Sequence, residues 1–222
     1  MKKIMIAMIA LAISSVAVAQ MENEKFVKAM EPKVIAVDTT HSLEGFTELA
    51  NTFERIADVE KNQWLAYYYA AMCQVNAGLV IGSGGDMMAA KADKTDPYAD
   101  KAEQLLNKAE LLEKSNSEIY VIKKMIASLR MMGDPMNRYM TYGAEIQAML
   151  DEARKLNPEN PRVYMLEGQD KFYTPEQFGG SKSEAKVLFE TAIKKYEAAK
   201  PQSSIHPSWG LPTTKYFHSQ CQ

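Results

Sequence analysis

From Glu22 onward apolar residues recur at spacings of three and four almost throughout, and no stretch sustains strand-like alternation with β-branched enrichment. The pattern predicts an all-α protein. Phe26, Met30, Val34 and Val37 mark a first helix, which Pro32 should kink or interrupt. Phe46, Leu49, Phe53 and Ile56 line one face of a second, over 43–58. A third, capped by Asn62, runs through Trp64, Tyr68, Ala71, Val75 and Leu79 and stops before Gly82-Ser83-Gly84-Gly85. A polar connection then reaches Asp96-Pro97, a capping residue followed by proline at the first helical position, which places the fourth helix over 97–114.

The later punctuation follows the same logic. Ser115-Asn116-Ser117 with Glu118 opens a helix carrying Ile119, Ile122, Ile126 and Leu129, and Gly133-Asp134-Pro135 separates it from the next, which ends at Leu156. Asn160-Pro161 opens one more, and Ser181 or Ser183 starts the last, closed by Pro201. The expectation is eight helices in four hairpins over 20–202. The tail, 203–222, contains Pro207, Gly210 and Pro212 and reads as irregular, with Trp209 as a packing anchor.

Small-large-small triplets recur on these helices: Ala185/Phe189/Ala192 and Ala102/Leu106/Ala109, and more loosely Ile146/Leu150/Ala153 and Leu49/Phe53/Ile56. Small residues let the helices of a hairpin approach closely, and the large one fills the groove between neighbouring hairpins. The run from Ala153 through Pro158, Pro161 and Tyr164 to Gly168 resembles the tetratricopeptide repeat, and the likeness extends over 43–200. It implies a tetratricopeptide-like α-α superhelix whose first helices line a concave, ligand-holding surface. The large positions are unequally spaced rather than set at a constant period of about 34. Tyr173–Gly180 is an insertion, Lys123 and Lys124 stand where apolar residues are wanted, and a non-repeating bundle is the alternative. The stretch Phe178–Ala185 with Phe189-Glu190 is also similar to exported proteins related to the T-component of TRAP transporters. Asn51–Ala57 and Trp64–Ala70 are similar to exported repeat proteins of Bacteroidetes-type bacteria. These resemblances imply a binding scaffold and carry over no catalytic residue.

The first nineteen residues follow another rule. Lys2-Lys3, the apolar run from Ile4 to Ile13 and the small-x-small site Ala17-Val18-Ala19 make a signal peptide cut after Ala19. The run is too short for a membrane span of about 20 residues. The product is expected to be periplasmic or secreted. Of 222 residues, 46% are hydrophobic, enough for a core; losing Lys2 and Lys3 leaves 24 basic against 28 acidic residues, a charge of −4. That balance argues against a nucleic-acid protein held by phosphate attraction. Two cysteines are too few for a disulfide scaffold, but an oxidising compartment admits a Cys73–Cys221 bond; two free thiols are the alternative.

Catalytic chemistry finds no purchase. His41, His206 and His218 form no metal-spaced pair, and neither a Gly-x-Ser-x-Gly elbow nor a phosphate-binding loop is present, so no enzyme, cofactor or metal is expected. Asp86, Asp93, Asp96 and Asp100 read as a solvated acidic loop, and Gly179-Gly180-Ser181-Lys182-Ser183 as a tight turn delivering the last helix. Met131, Met132, Met136 and Met140 have thioethers suited to Cu(I), but methionine is also an adaptable core filler, which is the reading taken. The aromatics are more informative: Trp64, Tyr67, Tyr68 and Tyr69 point in successive directions around one helix and cannot all face one core. By the repeat resemblance, Tyr68, Tyr69 and Met72, with Arg162, Met165, Gln169, Phe172 and Tyr173, are candidates to line the groove. The expected function is a non-enzymatic scaffold binding a protein or peptide there. The alternative is a transport accessory holding a small apolar ligand among Tyr69, Met72 and Phe172.

Overall fold

A computed structural model describes residues 24–85 and 89–221. Nine α-helices and one short 3-10 turn occur among the described residues, and no strand. The signal-peptide segment, 1–19, lies outside them.

The first helix, α1 (24–39), buries Phe26, Met30, Val34 and Val37 and runs through Pro32, which is exposed, without the expected interruption. α2 (Leu43–Glu60) starts at Ser42, whose hydroxyl accepts from the Gly45 N–H at 3.1 Å, and ends where Lys61 turns left-handed. α3 (Trp64–Gly82) begins after Gln63, and not at an Asn62 cap. It is buried on nearly every side because it packs against α2, α4 (Ala92–Leu112) and α5 (Ser117–Gly133) together. Gly78 allows this closeness, since a Cβ there would lie 3.0 Å from that of Tyr98 and collide with Leu129.

α4 starts five residues before Pro97, the expected first helical position, and carries Pro97 inside. Asp96 is no cap: its carboxylate takes a two-pronged bond from Arg138 at 2.7 and 2.8 Å. α6 (Pro135–Leu156) pairs with α5, α7 (Pro161–Tyr173) with α8 (Lys182–Ala198), while α6 barely touches α7. Asn116, Asn160 and Ser181 cap α5, α7 and α8 with their side chains, as the sequence implies. The 3-10 turn Glu176–Phe178 fills part of the expected insertion.

The tail differs from expectation. Residues 201–210 run back across the bundle, burying Ile205, and Pro212 opens a ninth helix, α9 (Leu211–Ser219), which packs on α8. Gly210 makes the corner at φ 109°, where any Cβ would strike the Tyr196 hydroxyl.

Two apolar clusters result. The main one joins α1 to α7 with Ala192 of α8 and Ile205; a small one holds Ala185, Phe189 and Cys221, flanked by Phe172 and Phe217.

Candidate functional site

The starts of α3, α5 and α7 come together under the returning tail. Glu118, in the first turn of α5, is the hub: its carboxylate accepts from Arg162 Nε at 2.8 Å and Nη2 at 2.6 Å, from Asn160 Nδ2 at 2.7 Å and from the Tyr68 hydroxyl at 2.9 Å. Trp209 closes the set, its indole N–H donating to Tyr68 Oη at 2.9 Å and its carbonyl accepting from Arg162 Nη1 at 3.3 Å. The guanidinium also lies 5.4 Å from the Trp209 ring and 5.9 Å from that of Tyr196. Burial opposes the Arg162 charge, but Glu118, Tyr68 and Tyr196 together outweigh it and hold the group above its ordinary pKa. Burial, then Glu118, pushes the Tyr68 phenol well up, so it stays a neutral donor.

Beside this clasp opens a cleft of about 510 Å³ lined by residues including Trp64, Glu113, Lys195, Lys200 and His206. His206 Nδ1 is 2.7 Å from Ser203 Oγ and its ring meets Trp64 edge-on at 6.3 Å. Burial lowers its pKa, although Glu113 and Glu118 pull the other way. Two of the cleft's cations are already matched: Lys195 pairs with Glu159 at 2.8 Å and Arg162 with Glu118.

A second, different surface lies at the far end of α7. Phe172, Tyr173, Tyr216 and Phe217 form a connected set with centroids 5.3 to 5.5 Å apart, mostly edge to face. Phe189 stacks on Phe217 at 5.9 Å and forms its buried floor. Tyr173 and Tyr216 are 61% and 60% exposed, so two large aromatic rings of this set stand open to solvent. Lys182 stands 5.3 Å over the Phe172 ring, and Lys186 follows one turn later on α8.

The groove candidates therefore divide. Tyr68, Tyr69, Met72, Arg162 and Met165 are buried, covered in part by the chain's own tail; Gln169 and Phe172 are half-buried, and Tyr173 is exposed. A pocket among Tyr69, Met72 and Phe172 does not form, because Tyr69 and Met72 belong to the main core while Phe172 flanks the small cluster. The Tyr69 hydroxyl is buried without a hydrogen-bond partner, and burial raises its pKa. Cys73 and Cys221 are free thiols, one in each cluster, so the disulfide is absent. Burial raises the Cys221 thiol, and Lys182 and Lys186 partly offset it.

The remaining sequence features are absorbed by structure. Asp93 sits on the first turn of α4, while Asp96 and Asp100 pair with Arg138 and Arg130; Asp86 lies outside the described residues. No group of three or more His, Cys, Asp or Glu side chains among the described residues could hold a metal. The glycine turn before α8 is a turn: the N–H groups of Gly179, Gly180 and Ser181 bond to Glu176, Pro175 and Lys171. Met136 and Met140 are exposed on α6 and are not core filler. Three residues of the second surface carry no expectation from the sequence: Tyr216 and Phe217, in the stretch expected to be irregular, and Lys186; Lys182 is expected only as part of the turn before the last helix. The adjacent pair Tyr216-Phe217 was the available signal.

Fold and surface together define a protein, helical throughout its described elements, that closes one face with its own tail and leaves an aromatic surface open. No family model matches the sequence, and no curated protein matches it. A solved structure, the HusA haemophore from Porphyromonas gingivalis, is similar at 35% identity and a TM-score of 0.77, over 89% of this chain and 92% of that one. The chain belongs to the family of that haemophore. The Bacteroidetes-type kinship read from the sequence agrees with this likeness.

Proposed function

We propose that the chain is an exported, non-enzymatic protein that binds haem. The observation that carries this reading is the likeness to a haemophore along almost the whole of both chains. It favours the small-ligand alternative over capture of a peptide, and the geometry supports that preference. The anchors expected to grip a peptide, Tyr68 and Arg162, are spent on Glu118 and Trp209. Our reading keeps a tetratricopeptide-like arrangement: α3 packs on α5, the ion pairs Glu118–Arg162 and Lys124–Asp170 join α5 to α7, and α4, α6 and α8 are their hairpin partners. Export rests on the features of residues 1–19, and no helix among the described residues is long and apolar enough to cross a membrane.

Titration of the mature chain with ferric haem, followed by the porphyrin absorption band, tests the reading. A saturable spectral change with one stoichiometric endpoint is expected. A spectrum that stays the sum of free haem and protein at every ratio would sink it.

A further inference from the structure

The haem reading leaves open where on this chain such a ligand sits. A haem is a flat, largely apolar disc with two carboxylates on one edge. A site for it needs a broad aromatic or aliphatic surface and cations at one rim. The cleft beside the clasp supplies little of either, since two of its cations are paired and Trp64 is its single large aromatic. The exposed α6 positions Met136, Tyr139 and Met140 give apolar area, but Arg138 beside them is committed to Asp96.

The α7–α9 surface supplies both parts. Tyr173 and Tyr216 flank Phe217, with ring centroids 5.5 and 5.4 Å from it, and both are mostly open to solvent. This surface is rigidly backed, because Phe189 stacks beneath Phe217 and Gly168 lets Phe189 seat within 2.7 Å of where a Cβ would be. The cations are also in place. Lys182 lies over Phe172, and both Lys182 and Lys186 act on the Cys221 thiol in the same cluster. Neither makes an ion pair among the described residues, whereas the nearby Lys171 is held by Glu184 at 2.7 Å. Two lysines with no ion pair among the described residues, at the margin of an uncovered aromatic surface, complement a dianionic disc.

We propose that haem lies flat against Tyr173 and Tyr216, over Phe217, with its two carboxylates held by Lys182 and Lys186. This rests on the haem reading and adds the site and the chemistry of selection: the face is recognised by rings, the edge by charge. The full mature chain, a Tyr173→Ala/Tyr216→Ala variant and a Lys182→Ala/Lys186→Ala variant are each titrated with ferric haem and with its dimethyl ester. Thermal melts check that each variant folds; all the substituted tyrosines and Lys182 are exposed and Lys186 is half-buried, so unchanged melts are expected. The tyrosine variant should bind both ligands about tenfold or more weakly. The lysine variant should bind haem about tenfold more weakly and the ester as the parent does, removing the parent's preference for the acid. Saturable binding by the parent with both variants unaltered overturns the site and leaves the haem reading standing. Equal binding of haem and ester by the parent overturns the lysine assignment, and no binding by the parent overturns site and reading together.

Discussion

Two aromatic sets of similar composition meet opposite fates in this molecule. Trp64, Tyr67, Tyr68 and Tyr69 on α3 are wholly or largely buried, while Tyr173 and Tyr216 at the far end of α7 stay in solvent. Side-chain chemistry does not separate them. What separates them is coverage. α3 is flanked by three helices, and the returning tail adds Trp209 over Tyr68, giving that hydroxyl both an acceptor in Glu118 and a donor in the indole. The α7–α9 rings are the last layer, with no further helix beyond them among the described residues. Burial of a tyrosine is thus decided by what the rest of the chain can put over it.

The contrast can be broken where it is strongest. Glu118→Ala would leave Arg162 buried without its counter-charge, a loss of about 3–5 kcal/mol in urea unfolding. Replacing both with apolar residues of similar volume should recover most of it. Trp209→Ala, removing the tail's anchor, should cost about 3 kcal/mol by the same measurement. Tyr68→Phe keeps the ring but strands both the indole N–H and a Glu118 lone pair, for about 1–3 kcal/mol. Tyr69→Phe sharpens the point, since its hydroxyl has no partner: its removal should be neutral or slightly stabilising. Tyr173→Ala or Tyr216→Ala should change unfolding stability by no more than about 0.5 kcal/mol. A cost there equal to that of Trp209→Ala would mean the two sets are not different in kind.

A smaller effect separates tail from bundle by pH. Burial depresses the His206 pKa below its ordinary 6.5. The neutral ring therefore contributes stability fully above pH 6.5, and that contribution is lost as pH falls through the lowered folded value. Urea unfolding of the parent should weaken on acidification from about pH 6.5, and His206→Gln should flatten that part of the profile. Identical slopes for the two would remove His206 from the account.

Much of the helical order was legible because it is local. The periodicity of Phe46, Leu49 and Phe53, and the caps Asn116, Asn160 and Ser181, need only neighbours in sequence. The errors share one cause: a distant residue overrode a local cue. Asp96-Pro97 looks like a helix start, but Arg138, 42 positions on, takes the carboxylate and α4 begins earlier. Pro207, Gly210 and Pro212 look like punctuation of a loose tail, yet Gly210 and Pro212 sit at the corner and opening of α9. Tyr68 and Arg162, expected to line a groove, are buried for the same reason. Nothing near Tyr68 or Arg162 announces that Trp209 will close over them. The exposed rings were half legible, with Phe172 and Tyr173 singled out while their partners Tyr216 and Phe217 were passed over.

The indole that satisfies Tyr68 is 141 residues further along the chain. During synthesis, the N-terminal hairpins emerge long before that indole exists on their side. Until it arrives, the hub around Glu118 lacks its last donor and its cover. Contacts of such long sequence separation form late because the intervening loop must close first. The clasp is therefore a completion signal in time as well as a fastening in space: the bundle gains its cover only once the segment around Trp209 has been delivered.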